Sequence, residues 1–238
     1  MSGLIDFHTH ILPCVDDGSS GVSESVAMLE AIKDQGISQV VLTPHFYPRH
    51  HSPDSFLARR EEAYDSLLRR IGGRTDLPRM RLGAEVYYFE GISDSDCLDK
   101  MRISGTNAVL IEMPMGKWTP RMLRELAGIW EKQQIRPVVA HVDRYMGLLR
   151  NKDLPDVLAD LPVMVQMNSS FFLHPFTAGR AVKLLEQQKV HLLGSDCHNM
   201  TSRVPNLEQA VRVIRKKGQK DLISRIVFNQ QELTEKSR

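Results

Sequence analysis

The sequence predicts an α/β chain in which seven parallel strands, each followed by a helix, curl into a barrel-like sheet. Short apolar segments alternate with helical periodicities along the whole chain, the pattern of β–α units. No Gly-rich phosphate loop follows the first strand, which argues against an open, doubly wound sheet. Histidine, aspartate or glutamate stands at the end of nearly every strand-like segment, where barrels build their sites.

The first strand opens on Leu4 and Ile5 and closes on His8 and His10, which on an extended strand point to one face. Asp16 and Asp17 follow. Residues 23–35 carry Val26, Leu29 and Ile32 at helical spacing, and Gly36 is placed to end that helix. The second strand, 39–42, runs into Thr43, Pro44 and His45. Ser52 and Pro53 form a cap with proline at the first helical position. Phe56, Ala63, Tyr64, Leu67, Leu68 and Ile71 make the stripe of that helix, stopped at Gly72 and Gly73.

The third strand, 80–84, ends at Glu85, and the fourth, 108–111, at Glu112. Thr119 and Pro120 open a helix with Leu123, Leu126, Ala127 and Trp130 on one face. The fifth strand, 137–140, ends at His141. A short helix over 154–160 precedes the sixth, 163–167, which ends at Asn168. A helix to about Gln188 leads into the seventh, 190–194, and on to Asp196 and His198. Asn206 is placed to cap the last long helix, and the polar tail from Gln230 is expected to fray.

With 238 residues, 42% hydrophobic and 25% charged, the chain is composed as one soluble globular domain over 1–238. A net charge of +2 argues against nucleic acid and against an anionic membrane surface. Arg212, Arg215, Lys216 and Lys217 fit the solvated last turn of a helix. Cys14, Cys97 and Cys197 include no CxxC pair, there is no signal-peptide pattern, and no apolar run has membrane-spanning length. The expectation is a cytoplasmic protein without a disulfide framework or membrane insertion.

His8, His10, Asp17, His45, Glu85, Glu112, His141, Asp196 and His198 form a donor set suited to zinc, manganese or iron, and too large for one ion. Asp16 is the alternative to Asp17. Four carboxylates against three divalent ions leave a positive surplus, which favours an anionic substrate and an acidified water. Phosphate ester hydrolysis fits that balance. Cys197 and Arg203 also satisfy the C-x5-R pattern of thiolate phosphatases. That loop, however, has no glycine and contains His198. Tyr87, Tyr88 and Trp118 lie beyond strand ends, where they either flank an aromatic substrate or pack under loops. His50, His51, His174 and His191 read as surface or outer residues, and Met113 and Met115 as packing.

The segments Asp6-Phe7-His8-Thr9-His10, Asp16-Asp17-Gly18, Thr43-Pro44-His45, Gly83-Ala84-Glu85-Val86-Tyr87-Tyr88, Ala140-His141-Val142-Asp143-Arg144-Tyr145, Gln166-Met167-Asn168-Ser169-Ser170 and Gly194-Ser195-Asp196-Cys197-His198-Asn199 carry a further signal. In this order they resemble the polymerase and histidinol phosphatase (PHP) superfamily, and more closely its bacterial capsule and exopolysaccharide branch of manganese-dependent protein-tyrosine phosphatases. The resemblance implies a distorted, TIM-barrel-like (β/α)7 barrel holding three divalent metals, manganese first and iron or zinc as alternatives. It places His8, His10, Glu85 and Asp196 on one ion. Glu85 bridges to a second, shared with Glu112 and His141, and Asp17, His45 and His198 take the third. Arg144 and Arg203 match arginines that contact the substrate phosphate, suited to it as planar cationic forks. The implied reaction is hydrolysis of phosphotyrosine by a metal-activated hydroxide, and the implied partner is a bacterial tyrosine autokinase of polysaccharide assembly. The alternatives are a small-molecule phosphatase of the histidinol phosphate type, an amidohydrolase, and a non-catalytic metal-binding regulator. An amidohydrolase wants a bridging lysine at a strand end, and Lys117 falls beyond the fourth strand.

Overall fold

The computed structural model describes residues 3–147 and 153–235. Its strands are β1 (Ile5–Thr9), β2 (Gln39–Leu42), β3 (His45–Phe46), β4 (Arg79–Leu82), β5 (Glu85–Tyr87), β6 (Ala108–Glu112), β7 (Arg136–Val139), β8 (Met164–Asn168) and β9 (Leu192–Gly194). The helices are α1 (Val22–Asp34), α2 (Pro53–Ile71), α3 (Cys97–Met101), α4 (Pro120–Gln133), α5 (Val142–Met146), α6 (Leu154–Ala159), α7 (Ser170–Leu173), α8 (Ala178–Glu186), α9 (Leu207–Lys217) and α10 (Leu222–Glu235). Every strand pairing is parallel. None of the described helices is long and apolar enough to cross a membrane.

The second and third expected strands, 39–42 and 80–84, are each followed after a break by a short continuation. Pro44 has no amide to give a ladder and separates β2 from β3, while Gly83 and Ala84 separate β4 from β5 beside it. The wall stays bonded across both breaks, since Gly83 N donates to Leu42 O at 2.9 Å and Glu85 N to Pro44 O at 3.0 Å. The result is one sheet of order β1-β2-β4 and another of order β3-β5-β6-β7-β8-β9. They meet again where the chain beyond β9 joins β1. There Asp196 N donates to His8 O at 2.8 Å and His10 N to Cys197 O at 2.9 Å. This is the (β/α)7 barrel the sequence predicts, distorted at the two breaks.

That closure depends on a missing side chain. A Cβ on Gly194 would lie 2.5 Å from His8 Cβ and 3.0 Å from His8 N, so β9 approaches β1 this closely only with glycine there.

The period-2 alternation of the strands divides the barrel interior into two layers. Ile5, Phe7, Val41, Ala108, Leu110, Val138 and Leu192 form an apolar cluster, with Ile103 and Leu233 joining it. Two residues further along β6 stands Glu112, and further along β8 stand Gln166 and Asn168, which bear the polar layer. In β1 the register shifts between Asp6 and Thr9. Such a bulge lets Phe7 join the apolar cluster while His8 and His10 still face inward. A second, larger core packs the outward residues Val40, Val109, Val139, Val165 and Leu193 against the helices.

Capping follows the sequence at two helices. Ser52 Oγ accepts from Ser55 N at 3.2 Å, and Thr119 Oγ1 accepts from Met122 N at 3.3 Å. Two expectations fail. Asn206 precedes α9 but makes no cap, because its Oδ1 accepts from Ser169 Oγ instead. Met115 is exposed rather than packed. The expected face of α4 is turned inward, with Leu126 buried and Leu123, Ala127 and Trp130 half-buried.

The polar tail does not fray at Gln230 either. Residues 230–235 continue α10, and Gln230, 1% exposed, brackets the first strand. Its Oε1 accepts from Ile5 N at 3.1 Å and its Nε2 donates to Ile5 O at 2.8 Å. A lone polar residue on an apolar helix face thus ties the C-terminus to β1. Replacing Gln230 with Leu orphans both backbone groups, and we expect a loss of stability of about 1–3 kcal/mol for each. Urea unfolding of Gln230→Leu against the native chain measures it, and an unchanged midpoint would overturn the role.

Candidate metal centre

Glu85 opens β5 at the break in the barrel wall and is fully buried. Four imidazoles surround it. Its Oε2 lies 3.0 Å from His8 Nε2, 3.2 Å from His10 Nε2 and 3.1 Å from His45 Nδ1. Its Oε1 lies 2.8 Å from His141 Nε2. Asp196 Oδ1 adds a second carboxylate 3.6 Å from His8 and 3.5 Å from His10. Glu112 lies 3.6 Å from His45 and 3.7 Å from His141. Asp17 Oδ1 faces His45 Nε2 at 3.6 Å and His198 Nε2 at 3.5 Å.

All nine sequence-selected residues therefore converge. Seven of them have donor atoms in overlapping groups within 4.8 Å: His8, His10 and Glu85; His45, Glu85 and Glu112; and His10, Asp17, His45 and His198. Beyond the sequence expectation, His10 joins the third group and His45 reaches both Glu85 and Glu112. The sequence left Asp16 and Asp17 as alternatives, and the structure gives them different places. Asp17, 67% exposed, faces the cluster. Asp16 lies behind it, accepting from His10 Nδ1 at 2.7 Å, His45 N at 2.9 Å and Gly18 N at 2.9 Å.

A second layer, which the sequence reading did not recognise as part of the site, sets the ring orientations. Gln166 Oε1 accepts from His141 N at 2.7 Å, so the ring nitrogen 3.2 Å away, His8 Nδ1, is its other donor. Gln166 Nε2 donates to Asn168 Oδ1 at 3.0 Å, and Asn168 Nδ2 donates to Asp196 Oδ2 at 2.9 Å. His198 Nδ1 meets the Asp196 carbonyl at 3.0 Å. His8, His10 and His198 are thus each held through Nδ1, and each presents Nε2 to the cluster, the arrangement that fixes metal-ligating histidines. The signal was the position of Gln166 and Asn168 on the inward face of β8. His141 and Asp196 both have left-handed backbones, with φ of 31° and 54°, a strained state for residues with side chains that recurs at functional sites.

The charge balance fits cations. Burial alone would lower His8 and His10, but Glu85 and Asp196 raise the first and Asp16 raises the second. Burial would raise Glu85 and Asp196, yet His8 and His10 hold both well below the usual carboxylate range. Burial, with Glu85 nearby, pushes Glu112 up to about 7, and burial, with His10 nearby, brings His198 down to about 4. The upward shifts of His8, His10 and Glu112 all answer the crowd of carboxylates, a task divalent cations perform among the same atoms. Glu112 Oε2, His45 Nδ1 and His198 Nε2 are buried without hydrogen-bond partners, and nitrogen and oxygen donors of this kind match manganese, iron or zinc.

Arg144 and Arg203 stand beside the cluster, their side chains 35% and 37% exposed. Both guanidiniums pair with Asp196, Arg203 at 2.7 Å from Oδ1 and Arg144 on Oδ2. Of the candidate aromatics, Tyr88 is buried and donates to Glu125 at 2.6 Å, and Trp118 is buried and donates to Pro114 O at 3.1 Å. Tyr87 stays half-buried near the site. Its ring lies 5.6 Å from that of Tyr47, which stacks on His45 at 5.0 Å. Tyr47 went unnoticed because it stands in a loop two residues past His45. Of the outer histidines, His50 and His174 are exposed, and His191 Nδ1 accepts from Val165 N at 3.1 Å. Lys117 is exposed on the loop after β6.

The C-x5-R loop is not built for a thiolate. Cys197 is fully buried, and burial together with Asp6 pushes its thiol well above the usual range. The loop amides are also engaged. His198 N and Asn199 N donate to Arg203 O, and Met200 N donates to Glu24. Thr201, Ser202 and Arg203 N all donate to Asn199 Oδ1. None is left to hold a phosphate.

Comparison with known proteins agrees with this geometry. The family described as "Capsular polysaccharide synthesis, CpsB/CapC" matches residues 4–234. The chain belongs to the CpsB/CapC family. It is 31% identical to the tyrosine-protein phosphatase CpsB of Streptococcus pneumoniae over 237 residues, covering 90% of each chain. It is 28% identical to the tyrosine-protein phosphatase YwqE of Bacillus subtilis, covering 90% of this chain and 84% of that one. A solved structure from work on YwqE and CpsB, described as unique metal-dependent tyrosine phosphatases, superposes with a TM-score of 0.84 at 24% identity, covering 98% and 94%. The phosphotriesterase homology protein of Escherichia coli shares the fold more distantly, at a TM-score of 0.59 and 14% identity over 98% and 99% of the two chains.

His45 N and Gly18 N bond different oxygens of Asp16, so Asp16→Asn keeps an acceptor for only one of them and removes the charge that holds His10. Manganese affinity, read by titration calorimetry, is expected to fall about 10- to 100-fold. Unchanged affinity would remove Asp16 from the site.

Proposed function

We propose that this chain is a metal-dependent protein-tyrosine phosphatase, one domain acting in the cytoplasm on a bacterial tyrosine autokinase of capsule or exopolysaccharide synthesis. The observation that carries the reading is the convergence of five imidazoles and four carboxylates with two half-exposed arginines at the mouth of a family-matched barrel. Three divalent ions, manganese first, would be held by His8, His10, Glu85 and Asp196; by Glu85, Glu112 and His141; and by Asp17, His45 and His198. Bound there, such ions supply Lewis acidity to phosphoryl oxygens and make water acidic enough to act as a nucleophile near neutral pH.

The protein's own groups do the rest. Arg144 and Arg203, anchored on Asp196, offer planar forks to the phosphoryl oxygens and to the charge that grows on them. Asp16, Gln166 and Asn168 keep the rings and the Asp196 carboxylate from turning away, so little reorganisation accompanies the reaction. Tyr47 and Tyr87 line the approach, where a phenolic leaving group passes. Placing Asp16 beside Asp17, Glu85, Glu112 and Asp196 reduces the expected positive surplus by one charge and leaves the site with three ions still attractive to a phosphate dianion. The thiolate alternative is excluded by the occupied loop amides, and the amidohydrolase alternative lacks its lysine.

The test is hydrolysis of a phosphotyrosyl peptide by chelator-stripped protein before and after manganese. Activity is expected to vanish and return, and Cys197→Ser to behave like the native chain. Full activity after stripping would end the metal reading. Arg144→Ala or Arg203→Ala should lower kcat about 10²-fold. The native chain should prefer phosphotyrosyl peptide to histidinol phosphate, and the reverse preference would favour the small-molecule alternative.

A further inference from the structure

Beside the metal centre lies an open groove of about 490 Å³ between the loop after β3 and the segment after β5. Phe46 and Phe89 form part of its floor, and Arg49, His50 and His51 stand on one wall. The groove is joined to the centre through rings in contact. His45 stacks on Tyr47 at 5.0 Å, and Tyr47 meets His50 edge-on at 6.1 Å. A molecule held by its phosphate among His45, Arg144 and Arg203 and extending past Tyr47 therefore enters the groove. A peptide in extended form covers about 3.3 Å per residue, so residues three or four from a phosphotyrosine reach it, and a small aryl phosphate does not.

The groove's charge indicates which peptide. Arg49 is exposed and makes no ion pair among the described residues. The α2 helix starts at this wall, and the positive end of a 19-residue helix favours anions. Asp54, in its first turn, is already paired with Lys100 at 3.1 Å. Against these stands one lining carboxylate, the exposed Asp96 on the facing side.

We propose that this groove is the subsite for substrate residues flanking the phosphotyrosine, and that Arg49 selects an acidic side chain there. The proposal rests on the phosphatase reading above and adds its sequence preference. Phe46 and Phe89 give the peptide an apolar floor, and Arg49 binds the flanking carboxylate in a solvent-exposed pair, a contact that acts mainly on KM.

The experiment compares two phosphotyrosyl peptides, identical except for Glu or Gln at the third and fourth positions on either side, with manganese-loaded protein. Hydrolysis of p-nitrophenyl phosphate serves as the probe of the phosphatase reading itself. The Glu peptide is expected to have a KM about three- to fivefold lower at low ionic strength, as an exposed ion pair allows, with the difference shrinking in high salt. Arg49→Glu should abolish or invert the ratio and Arg49→Lys should keep it. Equal KM values in the native protein, or a ratio unmoved in Arg49→Glu, would overturn the subsite while p-nitrophenyl phosphate turnover leaves the phosphatase reading standing. No turnover of any substrate would end both.

Discussion

A carboxylate removed from water remains ionised only where cations or hydrogen-bond donors replace its hydration. Glu85 is the point at which this chain meets that condition. It is fully buried in the barrel and held well below its usual range by imidazoles from β1, from the break after Pro44 and from the end of β7. Each of those rings lies within 3.2 Å of a Glu85 oxygen. The breaks in β2–β3 and β4–β5 bring His45 and Glu85 into register. The features that distort the barrel are therefore also the ones that assemble its centre.

Around this carboxylate the structure separates two tasks. The residues that face the cluster supply charge and lone pairs. Those behind them, Asp16, Gln166 and Asn168, remove rotational freedom by occupying Nδ1 of His8 and His10 and an oxygen of Asp196. The close approach of β9 to β1 at Gly194 serves the same end, because it places Asp196 against His8 through the backbone before any side chain is considered. Four of the nine clustered residues, His8, His45, Glu85 and Glu112, sit on strands, while Arg203, Tyr47 and Arg49 stand on loops.

The C-x5-R pattern shows why a short motif needs its local geometry. Its cysteine and arginine are both present, but Asn199 draws three consecutive amides onto its own side-chain oxygen. The same residues that would cradle a phosphate in a thiolate enzyme here form a closed turn that carries His198 to the metal centre.

The sequence alone determined the β–α alternation, the barrel class and the nine residues at its strand ends. Strand periodicity and ligand chemistry are local properties, and a histidine or carboxylate at the end of an apolar strand is visible without knowing its neighbours. Only the tertiary structure decided that Asp16 stands behind Asp17, since two adjacent carboxylates differ solely in what they face. It also decided that Tyr88 and Trp118 pack while Tyr47 stacks on His45, and that His10 and His45 each belong to two donor groups. Gln230 is the plainest case. In the sequence it begins a polar tail, and in the fold it is sealed against Ile5, 225 residues away. Periodicity records which face of an element is buried but not which distant backbone groups need a partner, and that need is what Gln230 meets.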